Sequence, residues 1–305
     1  MAALKAIKSK IKSVEKTQKV TKAMEAVSAA KMRKAQQKAL SGRAYARAAA
    51  AILARTSGSR DLANHPLAAV RSVKRALYIV ITSDKGLAGA LNSAVLRASA
   101  ADIAAQGLSP EDVEVVTVGR KANDFFASRG FTIAAFHPNT DQVSSELLAS
   151  LVHDAAARYM EGVVDAVKIA YQNFVSTFEQ RPTLRTVFPL SLHELEQVVE
   201  DILPVRGVYA APANAAENPS VYSIEPSEGE VLSAILPRLA SIFVYHALLE
   251  TQASEHSARM VAMKSASDKA GEMRSSLTLK FNKARQAVIT REVSEITGGM
   301  EAMSA

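Results

Sequence analysis

Residues 4–24 read LKAIKSKIKSVEKTQKVTKAM, and this stretch decides how the rest of the chain is interpreted. Its apolar residues recur at three- and four-residue steps, which places them on one face of a helix; they are Leu4, Ile7, Ile11 and Val14. Residues 1–57 contain no proline and a single glycine, Gly42, so the predicted helix continues over this length. At ~1.5 Å per residue it is roughly 85 Å long. A helix of that length needs a second long helix or a large partner to cover its apolar face.

The last part of the chain carries a matching pattern. Residues 238–297 contain no proline and one glycine, Gly271. A predicted seam recurs there at three- and four-residue steps through Ile242, Tyr245, Leu249, Gln252, His256, Met260, Met263, Ala270, Met273, Leu277, Ala284 and Val288. This spacing is typical of a two-stranded coiled coil, which must be antiparallel if one helix enters and the other leaves the same central domain. The alternative is two separate long helices, each packed on another subunit.

The middle of the chain alternates between strand and helix patterns. Strands are predicted at residues 75–82, 113–118, 131–136, 167–175, 184–189 and 221–224, and helices at 90–106, 121–129 and 144–164. A turn is predicted near Arg181-Pro182, and a loop at residues 214–220. Strand–helix alternation favours a sheet with crossover helices.

The predicted fold is therefore α/β, with a long antiparallel coiled coil of the N- and C-terminal helices and a central Rossmann-like α/β domain. The predicted boundaries are 1–57 for the first coiled-coil helix, 58–228 for the central domain and 229–305 for the last helix.

Charge is concentrated in the first helix. The chain carries a formal net charge of +7, and residues 1–57 hold 14 Lys and Arg against Glu15 and Glu25, which is +12. A cationic strip follows helical spacing through Lys5, Lys8, Lys12, Lys16 and Lys19. The strip suits an acidic protein partner, nucleic acid or simply solvent. Nucleic acid is disfavoured because residues 4–24, which carry the strip, contain no aromatic residue that could stack on single-stranded bases.

Patterns for catalysis are weak throughout the sequence. The chain has no cysteine, which excludes thiol and Cys-based metal chemistry. Residues 83–89, SDKGLAG, match neither the dinucleotide fingerprint nor the phosphate loop, so a structural turn with Asp84 capping or bonding locally is expected. The histidines show no ligand spacing. We predict no catalytic residue, cofactor or metal, and an enzyme built on the α/β centre is disfavoured.

A membrane-spanning segment is not predicted. The most apolar stretch, residues 231–249, is interrupted by Pro237 and Arg238. No secretory signal is recognised at the N-terminus, where lysines interrupt any apolar core.

Several multi-residue blocks closely resemble the F-type ATP synthase gamma subunit. They are IKSV at 11–14, TQKVTKAME at 17–25, AAKMRKAQ at 29–36, TSDKGLAG at 82–89, RMVAMKSASD at 259–268 and NKARQAVIT at 282–290. Because the blocks lie at the start, middle and end, the resemblance spans the whole chain.

The resemblance implies a rotating central stalk without catalytic activity of its own. In that family the paired terminal helices lie inside a ring of alpha and beta subunits, and the central domain, with the epsilon subunit, sits on a membrane ring of c subunits. Proton flow turns the c-ring, and the asymmetric stalk drives the beta subunits through ATP synthesis or hydrolysis. Contact with the membrane is then indirect, through the c-ring, on the cytoplasmic face of a bacterial plasma membrane; the absence of a recognisable transit peptide favours a bacterial protein.

The resemblance also implies where the partners touch this chain. The expected contacts with the ring are Met24 on the first helix and, opposite it, Arg285, Gln286, Thr290 and Glu292. The loop residues Lys85, Gly86, Leu87 and Ala88 are expected to touch the lower face of the ring. Ile289, Ile296 and Ala302 suit an apolar bearing at the tip, although Glu301 places a carboxylate there.

Overall fold

The computed structural model describes residues 2–56, 65–140, 144–190 and 227–304. Its elements, in chain order, are α1 (Ala2–Thr56), β1 (Ala76–Ile81), α2 (Leu91–Ala105), β2 (Val113–Val118), α3 (Arg120–Ala127), β3 (Thr132–His137), α4 (Ser145–Met160), β4 (Ala166–Phe174), β5 (Gln180–Phe188) and α5 (Glu228–Ser304). The predicted α/β fold with two long terminal helices is confirmed. The predicted strand at 221–224 and loop at 214–220 lie outside the described residues.

The chain divides into two compact units. The coil unit comprises residues 1–29 and 259–305, and the sheet unit comprises residues 30–258. Helices α1 and α5 each contribute to both. The three-segment division at residues 57 and 228 stays a prediction.

In the coil unit, α1 buries one face along the predicted helical spacing. The buried or half-buried positions that recur at three- and four-residue steps are Leu4, Ile7, Ile11, Val14, Gln18, Thr21, Glu25 and Ser28. The seam is therefore aliphatic up to Val14 and polar or small from Gln18 onward. Thr21 satisfies its hydroxyl on its own helix, donating to the Thr17 carbonyl at 3.0 Å.

One contact and one charge attraction indicate how α1 pairs with α5. A Cβ built at Gly271 would lie 2.9 Å from Gln18 Nε2, so the amide of Gln18 rests on the glycine. Glu15 has its pKa held below the ordinary range, first by the hydrogen bond from Lys19 and also by attraction to Arg274. Residue numbers fall on α1 while they rise on α5, so the helices are antiparallel.

The seam of α5 agrees with this register, apart from one predicted position. Its inward positions in the coil unit include Met263, Ser267, Ala270, Leu277, Phe281, Ala284 and Val288. Met273 was predicted in the seam, but its side chain is 57% exposed. In this turn of the helix Gly271, two residues before Met273, is the residue that faces α1.

Within the described part of the sheet unit, five strands lie in the order β3-β2-β1-β4-β5. Strand β1 pairs in parallel with β2 and β4, β2 pairs in parallel with β3, and β5 returns antiparallel to β4. The central strand β1, ALYIVI, is buried at every position, which fits a strand covered on both faces. The carboxyl ends of β1, β2, β3 and β4 meet at one edge of the sheet, here called the carboxyl edge.

Arg181-Pro182 lies inside β5, not at the predicted turn. Pro182 stands opposite Gln172 of β4, and the turn comes earlier, between Phe174 and Gln180. Among the described strands β5 lies at the edge of the sheet, and an edge strand tolerates proline because one side of its backbone has no neighbouring strand to receive an N–H.

Helices cover both faces of the sheet. On one face α4 and the first third of α5 pack on the strands, with Val152, Leu236 and Phe243 among the buried side chains. On the other, Val95 of α2 and Phe126 of α3 are buried. Pro237 lies inside α5 and does not end it.

Among the described residues, α5 alone is long and apolar enough to cross a membrane by length and composition. Half of its most apolar stretch is buried within the fold. The buried half of this stretch packs in the protein core, and core packing explains why it is apolar. The helix is therefore weak evidence for a membrane span.

Candidate partner-binding surfaces

The loop after β1, residues 83–89, is fixed to the start of α2. Asn92 Oδ1 accepts from Ser83 N at 3.0 Å, and Asn92 Nδ2 donates to Ser83 Oγ at 2.7 Å. Ser83 Oγ donates to the Lys85 carbonyl at 2.6 Å. These bonds hold the residues that follow in one position at the carboxyl edge.

The loops after β1 and β2 are locked together. Asp84 Oδ1 accepts from Arg120 N at 2.9 Å, so Asp84 caps a helix as expected, but the helix is α3, 36 residues later, and the bond is not local. Thr82 Oγ1 accepts from Ala122 N at 2.9 Å. Gly119, with φ +104°, brings the backbones so close that a Cβ would lie 2.1 Å from the Thr82 oxygen. Only glycine fits there.

Helix α5 closes the same edge. Gln252 Nε2 donates to Asn139 Oδ1 at 3.0 Å, and Asn139 Nδ2 donates to the Thr82 carbonyl at 2.8 Å. Thr251 Oγ1 accepts from Gln172 N of β4 at 3.2 Å. Most of the polar groups named at this edge bond one another, as in a structural scaffold, and Gln172 Oε1 is buried without a hydrogen-bond partner.

The scaffold presents three of the four predicted loop contacts to solvent. Lys85, Gly86 and Leu87 are exposed, Leu87 at 62%. Leu87 also has φ +65°, a left-handed conformation that costs a leucine about 1–2 kcal/mol. Ala88 is 2% exposed and belongs to the core, so its side chain is not available to a partner in this structure.

A second polar cluster lies between α2 and the sheet. Tyr78 donates to Asp102 Oδ2 at 2.5 Å, Lys168 Nζ donates to the same oxygen at 2.8 Å, and Gln106 Nε2 donates to the Tyr78 hydroxyl at 2.9 Å. Burial raises the pKa of Tyr78 well above its ordinary value, and the hydrogen bond to Asp102 raises it further. Tyr78 therefore stays protonated, and the cluster joins α2 to β1 and β4 as a structural network. Within the described ranges no group of His, Cys, Asp and Glu could hold a metal ion.

In the coil unit the remaining predicted contacts do not lie together. Met24 is half-buried on the flank of the α1 seam, whereas Arg285, Gln286, Thr290 and Glu292 are exposed on α5. The register that pairs Gln18 with Gly271 places Met24 beside about residue 265. Residue 265 is roughly 30 Å along the helix from Arg285 at ~1.5 Å per residue. The expectation that these residues face Met24 is therefore wrong, because α1 and α5 are antiparallel and Arg285 lies near the beginning of α1.

The tip of α5 extends past the start of α1. The same register brings Ala2, where α1 begins, beside about residue 287, and residues 291–300 are exposed without exception. Apolar residues nevertheless continue there at three- and four-residue steps: Ile289, Val293, Ile296 and Met300, each 50–65% exposed. We call these four residues the tip stripe. The sequence analysis named Ile289 and Ile296 but missed Val293 and Met300, although the same spacing indicates all four. The side chain of Ala302 lies outside the described residues.

The cationic strip of α1 is exposed as predicted. Lys5, Lys8, Lys12, Lys16 and Lys19 all face solvent. Lys19 pairs with Glu15 at 2.9 Å, an exposed pair one helical turn apart. The strip thus presents positive charge on a face of α1 that flanks the seam.

Comparisons with known proteins agree over the whole chain. The family model described as ATP synthase matches residues 3–303. The ATP synthase gamma chain of Heliobacterium modesticaldum is 38% identical over 308 aligned positions, covering 99% of this chain and 100% of its own length. The gamma chain of Pelotomaculum thermopropionicum is 39% identical, with the same coverage.

Solved structures share the fold at lower sequence identity. A chain of the Euglena gracilis mitochondrial ATP synthase, from an OSCP/F1/c-ring structure, has a TM-score of 0.64 and 19% identity and covers 99% of this chain and 95% of its own. A chain from the central stalk and c-ring of the Tetrahymena thermophila mitochondrial enzyme has a TM-score of 0.55 and 23% identity, covering 81% and 99%.

Proposed function

Since the chain belongs to the ATP synthase gamma chain family, it is a non-catalytic subunit of that complex, and we propose how its surfaces perform the role of rotating central stalk. The coil unit turns inside the ring of alpha and beta subunits. The sheet unit, together with the epsilon subunit, receives torque from the membrane c-ring. The chain couples proton flow to ATP synthesis or hydrolysis without binding nucleotide.

The observation that carries this proposal is the tip stripe. Ile289, Val293 and Ile296 are exposed on a part of α5 that extends past α1. Exposed aliphatic side chains at helical spacing are costly in water, at about 25 cal/mol per Å². An enclosing apolar sleeve removes that cost, and apolar side chains make no directional bonds that would resist rotation.

Rotation acts on the ring through differential contacts. A stalk changes the conformation of a neighbouring subunit only if it binds the alternative conformations with different free energies. The two helices present unlike surfaces for this purpose. Lysines such as Lys12 and Lys16 face outward on α1, while Arg285 and Gln286 face outward on α5. The cationic strip attracts acidic loops transiently, because exposed pairs are screened by salt.

The partner contacts on this chain are proposed residue by residue. On the coil unit they are Met24, Arg285, Gln286, Thr290 and Glu292. Arg285 can bond a carboxylate through two N–H groups, and Gln286 can both donate and accept. On the sheet unit Lys85, Gly86 and Leu87 reach the lower face of the ring, and the buried Ala88 supports them from below.

The subunit is a peripheral component of a membrane-associated complex. We place it on the cytoplasmic face of a bacterial plasma membrane, in line with the bacterial relatives at 38–39% identity.

Reconstitution with catalytic subunits tests the proposal. The chain, mixed with alpha and beta subunits, should co-purify as one complex, and a bead attached through the sheet unit should rotate during ATP hydrolysis. Hydrolysis without rotation, or failure to form the complex, contradicts the role. Salt-sensitive retention on DNA in place of assembly would instead support nucleic-acid binding through the cationic strip.

A further inference from the structure

The turn between β4 and β5 holds a large apolar side chain in solvent. Phe178 is 85% exposed, the highest value among the large apolar residues of the described ranges, and Val175 is 47% exposed. Isolated exposed apolar residues are common and need no explanation. Phe178 differs from such residues because it lies on a hydrogen-bonded turn with almost no net charge.

Hydrogen bonds fix the conformation of this turn. Ser176 N donates to the Glu179 carbonyl at 2.9 Å, and Ser176 Oγ accepts from Phe178 N at 3.3 Å and Glu179 N at 3.1 Å. Gln180 Nε2 donates to the Ser176 and Thr177 carbonyls, each at 3.1 Å. Because the backbone of the turn is already fixed, a partner that covers Phe178 does not have to order it.

The turn carries almost no net charge. Glu179 and Arg181 form an ion pair with Nη2 and Oε1 2.5 Å apart, so their charges cancel beside Phe178. What the turn offers a partner is an aromatic ring with one neighbouring valine. Aromatic residues of this kind dominate binding free energy when they fill an apolar pocket.

The position of the turn identifies the partner. Thr177 accepts a hydrogen bond through its carbonyl from Ser257 Oγ at 2.6 Å. Ser257 lies on α5 directly before the helix leaves the sheet unit, which ends at Ala258. Because β4 runs parallel to β1, the turn also lies at the carboxyl edge, where Leu87 is exposed. The ring subunit that we propose to touch Leu87 therefore meets the same edge of the sheet as Phe178.

We propose that Phe178, with Val175, anchors this chain in an apolar pocket on the lower face of the ring of alpha and beta subunits. This inference rests on the proposed function, since it names a contact within that assembly. It adds a second, uncharged contact to the loop at residues 85–87. The contact at Phe178 differs from the cationic strip in that it resists salt.

Photo-crosslinking in the assembled complex tests the contact. A benzophenone amino acid is placed at position 178 and, as the matched control, at Val70, which is 78% exposed and precedes β1 at the opposite end of the strands. Irradiation at 178 should give a covalent product with alpha or beta, and irradiation at 70 should give neither. A product with epsilon or c from position 178, or none from an intact complex, overturns the proposal. If the chain does not assemble with alpha and beta at all, the stalk role fails, and the anchor fails with it.

Substitution measures the strength of the contact. Phe178→Ser should weaken binding to the alpha and beta ring about tenfold, the usual scale for an aromatic anchor, and Phe178→Leu should retain most of it. The loss should be the same at low and high salt. Because Phe178 is exposed, the circular dichroism of the free chain should not change. Equal binding by wild type and the serine variant contradicts the anchor while leaving the stalk role intact.

Discussion

Gln18 lies with its amide against the bare backbone of Gly271, at a distance where a methyl group would come within 2.9 Å of Nε2. This contact sets the register of the antiparallel helices in the coil unit. A substitution at Gly271 therefore has two opposing effects on stability: the new residue favours the helix more than glycine does, and its side chain crowds Gln18.

Gly271→Ala should stabilise the coil unit by about 0.5–1 kcal/mol, because alanine is favoured over glycine inside a helix and the end of Gln18 can move aside. Gly271→Leu should destabilise it, since the larger side chain cannot fit between the helices. Urea unfolding followed by circular dichroism measures both. In a Gln18→Ala background the penalty of the larger residue should shrink, and an unchanged penalty would contradict the contact.

Gly119→Ala should destabilise the sheet unit by about 3–5 kcal/mol, because its methyl group would overlap the Thr82 backbone and its φ is +104°. The matched control is Gly130→Ala. Gly130 has φ +78° but nothing within 4 Å, so only the conformational cost of about 1 kcal/mol applies. Thermal unfolding of both variants measures the difference. Equal losses would show that conformation alone, without the close approach to Thr82, determines the cost at position 119.

Stability should decrease below about pH 6.5 through His65. Burial lowers the pKa of His65, whose Nδ1 accepts from Leu67 N at 3.2 Å and whose Nε2 lies 3.0 Å from Ser233 Oγ. The unfolded chain therefore binds a proton at a higher pH than the folded chain does, and the stabilisation present above pH 6.5 is lost as pH falls through the folded pKa. Unfolding free energies measured from pH 8 to pH 5 should decrease more in wild type than in His65→Gln. Parallel curves would assign the acid sensitivity to other groups.

Arg285→Ala combined with Gln286→Ala should weaken coupling between rotation and ATP synthesis without unfolding the subunit. Both side chains are exposed, so the unfolding free energy should change by less than about 0.5 kcal/mol. ATP synthesis by the assembled complex is the measurement, and Lys269→Ala with Glu272→Ala, an exposed ion pair of the same helix, is the control. Normal synthesis by the Arg285 and Gln286 double variant would remove these residues from the proposed contacts.

Serine at Ile289, Val293 and Ile296 should leave the free chain as stable as wild type, because the tip stripe is at least half exposed. The same triple variant should bind the ring more weakly, since the ring then loses apolar burial. Titration of alpha and beta subunits with labelled chain measures the affinity, with Ser294→Ala as the control on the same turn. A triple variant that binds as wild type does would mean that no sleeve covers the stripe.

The sequence predicted those features that depend on periodicity. The α1 seam from Leu4 to Val14 and the buried strand β1 follow directly from spacing and composition. The spacing predicted Met273, three residues after Ala270, as a seam residue, but its side chain is exposed. In this turn of α5 the residue that faces Gln18 is Gly271. Hydrophobicity cannot signal a seam position that is occupied by glycine.

Contacts between residues that are far apart in the sequence could not be predicted from spacing either. The bond from Arg120 N to Asp84 depends on two loops that meet only when β1 and β2 pair. Likewise, Phe178 carries no spacing pattern, and its exposure follows from the turn between β4 and β5. The placement of Met24 against Arg285 failed because the register of the antiparallel helices is set by single contacts such as Gln18 with Gly271.

The overhang of α5 has a thermodynamic consequence. From about residue 288 to Ser304 no other helix of the described residues in the coil unit lies beside α5, and the segment contains Gly298 and Gly299. Most helical stability in proteins comes from tertiary packing of one face, which this segment has little of, and each glycine costs about 1 kcal/mol relative to alanine. We therefore expect this segment to become fully helical only when the ring surrounds it, so that insertion and local folding are one equilibrium. A protease should cut the free chain beyond residue 288 but should not cut the same bonds in the assembled complex.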